Sequence, residues 1–188
     1  MEMNSINRPD LDFSGLIDRL KDEDLRNLRL TNRFQWMMFV LSPLYFILFI
    51  VCILTDEPFY EHFGFVFFAI AFLVFAFIFR KYNKEYRSVD YGLPTVEMLE
   101  KAVKRYNFWQ RKTIVVALPV VLVDLGLCFS TFDPFFGRET ELLTRVLHIQ
   151  AFFLPLMTVS FTIGYFIWRY RQKPIRDKAK ELLQEIRA

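Results

Sequence analysis

The chain has 188 residues, of which 54% are hydrophobic, 18% aromatic and 24% charged, and its formal net charge is +3. A soluble domain with that charge fraction spreads its apolar residues at helix or strand period, whereas here they fall into long runs, and the 23 Phe concentrate where Lys, Arg, Asp and Glu are missing. This alternation of apolar and charged blocks excludes a secreted disulfide scaffold, a disordered tail and an ordinary soluble enzyme, and it predicts a small polytopic membrane protein.

The first segment, residues 1–33, is polar but patterned. Leu16, Ile17 and Leu20 form a short apolar face behind Ser14, a candidate N-cap, and Asp22, Glu23 and Asp24 precede Leu25, Leu28 and Arg29 as acids do at a helix start. Two helices are therefore expected, the second running into an apolar span at 34–55. No cleavable signal is expected, because that run follows 33 mostly polar residues and has no small-residue cleavage site after it. A second span at 63–79 closes the first transmembrane hairpin, residues 34–83.

Residues 84–112 form a cytoplasmic loop. Gly92, Leu93 and Pro94 make a turn, after which Leu99, Ala102, Val103 and Tyr106 share one helical face. No breaker stands before Thr113, so this helix is expected to run straight into a third span, 113–132. A fourth span, 146–168, completes the second hairpin, 113–172. Pro174 then marks a break or a helix start, and Ile175, Ala179, Leu182, Leu183 and Ile186 keep one stripe along a C-terminal helix, 173–188.

Each span has the roughly 17–25 residues that a helix needs to cross about 30 Å of hydrocarbon. None shows the alternation of a barrel strand. The expected fold class is thus all-α, with four transmembrane helices arranged as two parallel-repeat hairpins. The three amphipathic cytoplasmic segments need apolar partners: one another first, or else a second protomer, the membrane surface or a soluble protein.

Orientation follows from positive charge. Of 24 Lys and Arg, 22 lie before span one, between spans two and three, or after span four, beside 14 acids, for a net of +8; the outer loops hold 2 cations and 6 acids, a net of −4. Both termini are expected in the cytoplasm, with the chain multi-pass in the plasma (inner) membrane. The lipid bilayer is its expected surrounding, and nothing points to nucleic acid. The basic inner face sets topology and would also suit anionic headgroups.

Internal similarity supports the hairpin pairing. Cys52, Thr55, Glu57, Pro58, Phe59 and Tyr60 recur as Cys128, Thr131, Asp133, Pro134, Phe135 and Phe136 at an offset of 76, at which Pro43 also matches Pro119. The ends of spans two and four, 77–80 and 166–169, correspond at an offset of 89. Either this is a parallel duplication about an axis along the membrane normal, or it is coincidence in apolar sequence. Pro43 and Pro119 each remove a backbone hydrogen bond inside a span, so equivalent kinks are expected, with Pro155 adding one to span four. Cys52 and Cys128, near the outer ends of spans one and three, are expected to be inert buried thiols rather than a disulfide.

Asp124 is the sharpest candidate for chemistry. A mid-span carboxylate costs roughly 2.5–3.5 kcal/mol on insertion scales, which several apolar residues at about 0.3–0.6 each can offset, although exposure to lipid is not tolerable. No span offers Lys or Arg as a partner. Span four presents Ala151, Pro155, Thr158, Thr162 and Tyr165 at helical period, so that face is expected to meet Asp124. Two readings stand: a proton or cation site, or an acid hydrogen-bonded for helix assembly.

His62 and His148, beside Glu57, Glu61, Asp133 and Glu139 at the outer mouth, are the residue types of a metal set, but their spacing makes no motif, and no metal or other cofactor is expected. No catalytic arrangement can be assembled from one intramembrane acid and two boundary histidines, so the chain is not expected to be an enzyme. Ser160 and Gly164 form a small-residue pair of the helix-contact type, and Trp36, Trp109 and Trp168 are placed as cytoplasmic interface anchors. The expected function is an oligomeric membrane-tethered regulator or scaffold that holds a soluble cytoplasmic protein on segments 11–33 and 174–188. The competing function is a small channel or proton-coupled transporter subunit centred on Asp124.

Overall fold

Helix α1, Phe13–Ile53, runs for 41 residues, about 60 Å at 1.5 Å per residue, twice what a bilayer core requires. Its N-terminal half therefore stands clear of the membrane as a continuation of the span. The structure, a computed structural model, describes residues 13–54, 62–109, 114–129 and 142–187. The two short helices expected here are one: Ser14 lies inside α1 rather than capping it, and Asp22, Glu23 and Asp24 are mid-helix. No Gly or Pro interrupts the chain between Gly15 and Pro43, so nothing stops the helix, and the acids are taken up by tertiary partners instead.

Helix α2, Phe63–Arg87, returns antiparallel against α1. Phe34 stacks on Phe79 at 5.5 Å and Tyr45 meets Phe68 and Phe72 at 5.2 Å each. Between these levels the buried Ser42 hydroxyl donates to the Ala69 carbonyl at 2.9 Å. Ala69, Ala71 and Ala76 of α2 are buried, small residues that let neighbouring helices approach closely in a medium where hydrophobic burial alone does not drive association.

Helix α3, Thr95–Arg105, begins after the expected turn but does not run into the third span. It ends at Tyr106, whose N–H donates to the Ala102 carbonyl at 3.0 Å and whose own carbonyl accepts the Trp168 indole N–H at 2.9 Å. Phe108 then turns its ring into Trp168 and Tyr165, at 5.1 and 5.6 Å between centroids. Aromatic packing and the captured carbonyl stop the helix where no breaker residue stands.

Helix α4, Ala117–Phe129, has 13 residues and packs on α2. A Cβ on Gly126 would lie 3.0 Å from the Phe68 ring and 3.2 Å from the Gly64 carbonyl, so glycine is what allows this approach. The helical backbone is interrupted at Val116, ahead of the buried Pro119, which cannot donate to the carbonyl four residues back. Pro43 and Pro155, by contrast, sit inside unbroken helices. The equivalent distortions expected at Pro43 and Pro119 thus differ: Pro119 occupies the first turn of its helix, where a missing donor is tolerated.

Helix α5, Leu142–Ile167, continues through a π-helical turn, Trp168–Gln172, into α6, Lys173–Arg187. Pro174 neither breaks nor starts a helix. The wide turn directly ahead of it, closed by Lys173 N–H to Trp168 O, makes room for the proline ring against the preceding turn.

Among the described residues, three helical stretches are long and apolar enough to cross a membrane: Gly15–Ile53, Phe63–Arg87 and Val146–Arg187. These features are those of an integral membrane protein. The described part of the third expected span, α4, is apolar but shorter. Outside the spans, Leu16 and Leu20 of α1, Met98, Leu99 and Ala102 of α3 with Tyr106, and Ala179 and Leu182 of α6 form one buried core. The three amphipathic segments cover one another. The outer turns carrying the acid-Pro-Phe similarity lie outside the described residues.

Candidate functional site

Two polar centres lie along the long axis of the molecule. Within the apolar part, Gln150 Nε2 of α5 donates to Asp124 Oδ1 of α4 at 2.7 Å and lies 3.9 Å from Cys128 Sγ. An amide satisfies the acid by hydrogen bonding without bringing a second charge into the hydrocarbon. The expected partners do not meet Asp124. Thr158 donates back to Leu154 O at 2.8 Å and Thr162 to Thr158 O at 2.7 Å, both on an exposed face with Ala151 and Pro155. Tyr165 belongs to the ring cluster of Phe108 and Trp168. Gln150, about two turns ahead of Thr158 on α5, is the residue level with Asp124. Gln150 is the one carboxamide in span four, a signal the residue-type argument could have used.

The other candidates scatter. His62 is buried ahead of α2, and His148 is half-buried on α5. Among the described residues no group of three or more His, Cys, Asp and Glu could hold a metal ion; Glu57, Glu61, Asp133 and Glu139 lie outside those residues. Cys52 and Cys128 are thiols, each partly exposed rather than buried as expected. Trp36 and Trp109 are exposed as anchors should be, whereas Trp168 also packs and donates a hydrogen bond. A Cβ on Gly164 would have nothing within 4 Å, so the Ser160 and Gly164 pair makes no close helix contact within the described chain.

The second centre lies where the spans leave the membrane. Asp24 of α1 is 3% exposed. Its carboxylate accepts the Tyr91 hydroxyl at 2.7 Å, the Tyr106 hydroxyl at 2.6 Å and the Arg105 guanidinium. Beside it, the buried Glu23 pairs with Arg26 of its own helix and with Arg171 of the π turn, each at 3.3 Å. About two to three turns further along α1, Asn83 Nδ2 donates to Asn32 Oδ1 at 2.9 Å and to Gln35 Oε1 at 3.1 Å. Sequence reasoning reads Asp24 as a helix-start acid and Tyr106 as part of an apolar stripe, and so misses this centre; three consecutive acids on a helix heading for the bilayer cannot all face water, which is the signal available.

A buried carboxylate satisfied by a cation and two hydroxyls is a tie, not a reactive group. It joins α1 to the end of α3 and to the preceding loop. Burial, then the neighbouring Asp24 charge, pushes the Tyr86 phenol up to about 12. Burial likewise raises Tyr91 and Tyr106, which in addition donate to Asp24.

Asp24→Asn leaves Arg105 without its counter-charge and is expected to destabilise the helical bundle outside the spans by about 3–5 kcal/mol, measured as thermal unfolding of the detergent-solubilised chain. Adding Arg105→Met should recover part of that loss. The tyrosines predict alkaline sensitivity. Their folded-state pKa values lie above the unfolded value of 10.0, so the unfolded chain gives up these protons first. The contribution is complete below pH 10 and is lost as the pH rises toward 12 and beyond. Tyrosinate absorbance should therefore rise together with unfolding rather than ahead of it.

The chain matches no protein-family model, no curated protein and no solved structure, and its chemistry is read from these residues alone.

Proposed function

We propose that the chain is a non-enzymatic, multi-pass membrane protein whose cytoplasmic helical bundle is a rigid docking module for a soluble partner, a membrane-tethered regulator or scaffold. The observation that carries this reading is the shared core of α1, α3 and α6. It makes a folded body out of segments continuous with two spans. In this reading the chain has four spans, 113–132 serving as the third, in two parallel hairpins with both termini cytoplasmic in the plasma membrane, and it works as a homo-oligomer. The charge asymmetry of the sequence supports the orientation. The largely exposed apolar flank of α5 offers area for a second copy.

The docking mode expected from sequence changes. The apolar stripes of 11–33 and 174–188 are turned into the bundle core, so a partner meets their charged outer faces. These include Lys21 and Asp22 on α1 and Lys180 and Glu185 on α6, all exposed. Cross-linking in cells followed by mild-detergent purification should recover a cytoplasmic protein. Reversing the charges of Lys180 and Glu185 should abolish that cross-link while leaving the melting temperature unchanged. An undiminished cross-link in the reversed variant, or none in the wild type, removes the scaffold reading.

A second reading is favoured by the Asp124 and Gln150 pair. A polar bridge between α4 and α5 within apolar surroundings is the kind of site that a proton or cation pathway uses. Here proteoliposomes should show a pH-dependent flux that Asp124→Asn abolishes. Equal flux from the variant would leave the pair as helix-assembly glue only.

A further inference from the structure

Charge is sorted by height along the molecule. The stretches 25–36 of α1, 79–89 at the end of α2 and 165–176 around the π turn contain 11 Lys and Arg and a single acid, Glu85. The stretches beyond them in the helical bundle, 13–24, 90–105 and 177–187, contain 8 Lys and Arg and 10 acids. The first three stretches stand at one level, since Phe34 stacks on Phe79 and a single cleft is lined by Thr31, Tyr82 and Trp168. They form a collar at the foot of the bundle, where an arginine bounds the apolar run of each long helix: Arg33 ahead of Phe34, Arg80 after Phe79 and Arg169 after Trp168.

Within the collar Arg33, Arg80, Lys81, Lys84 and Arg169 are exposed, and none of them is paired with a carboxylate among the described residues. Further out the chain matches its own cations, Lys101 with Glu97 at 2.8 Å, Lys178 with Glu181 at 3.5 Å and Arg187 with Glu100. Exposed aromatic residues mark the same level. Trp36 is 64% exposed, Trp109 75% and Tyr170 74%, and such side chains settle at headgroup depth, with the ring in the apolar boundary and the polar atom in water.

We propose that this collar binds anionic phospholipids, several to a chain, from the bilayer leaflet on the side where the bundle stands. Topology requires an excess of cations near the spans. It does not require that they be gathered at one depth and left unpaired while those further out are matched. Like charges in one band repel one another until counter-charge arrives, and a guanidinium takes a phosphate through paired N–H donors. A zwitterionic lipid brings its own cation with its phosphate and leaves the collar uncompensated, whereas an anionic lipid neutralises it. An acidic soluble protein would have to enter the headgroup layer to reach Arg33 and Arg80, which adjoin the apolar runs.

The test is native mass spectrometry of the delipidated full-length chain in detergent, titrated with equal amounts of dioleoyl phosphatidylglycerol and dioleoyl phosphatidylcholine. Several phosphatidylglycerol molecules per chain are expected, retained in preference to phosphatidylcholine. Arg80→Gln, Lys81→Gln and Lys84→Gln should each lower that preference about fivefold, the weight of one cation at an anionic surface, and the three together should erase it. Lys180→Gln, exposed on α6 far from the collar, should leave it unchanged. Equal retention of the two lipids by the wild type returns the collar to topology or to an acidic protein face and overturns the proposal. An undiminished preference in the triple variant, or an equal loss from Lys180→Gln, overturns it as well. No soluble partner and no flux enters these outcomes, so failure here is distinct from failure of either functional reading.

Discussion

A carboxylate taken out of water has to be given partners, and the burial of Asp24 determines much of the part of the molecule outside the spans. Two tyrosine hydroxyls and the Arg105 guanidinium reach it from the far end of α3 and from the loop before α3. Segments more than 60 residues apart in the chain are thereby held at one point. With α1 pinned to α3, the leucines one and two turns away on α1 are brought over Leu99 and Ala102, and α6 closes the third side with Ala179 and Leu182. Hydrophobic burial supplies the driving force for this bundle, and the tie supplies its register, since a half-satisfied carboxylate would penalise any other arrangement.

The membrane half follows a different rule. Its helices do not seek burial, because lipid is as apolar as their side chains, and α5 leaves most of its large residues exposed. What holds this half together is local and short-range. The contacts are the Ser42 hydroxyl on the Ala69 carbonyl, the close pass of Gly126 over Gly64 and Phe68, and the Gln150 amide on Asp124. Each is a place where small size or a satisfied polar atom matters more than area.

The parts legible in the sequence are those set by composition and period. Apolar runs mark the spanning helices, and the 3.6-residue stripes at Leu16 to Leu20, Leu99 to Tyr106 and Ala179 to Leu182 announce faces that end up buried together. The parts that were not legible depend on what meets what. Nothing local distinguishes Asp24 from Asp22, yet one is buried and the other exposed. Helix α3 stops at Tyr106 because of an indole 62 residues away, which no breaker rule contains. Residue type alone does not choose between Thr158 and Gln150 as the partner of Asp124, and a hydroxyl that can bond back to its own helix has no need of a distant acid.

The π turn between α5 and α6 has a mechanical meaning. It inserts one residue into an otherwise unbroken helix and so turns everything beyond it by about 100°. Without that phase correction the stripe of Ala179 and Leu182 would point away from α1 and α3. With it, a single stiff rod joins the apolar span to the buried core of α1, α3 and α6, gripped at the junction by Arg171 on Glu23 and by Trp168 on Tyr106. A tilt or roll of α5 within a membrane is then delivered to the helical bundle beyond it as torque, with no flexible linker in which to dissipate it.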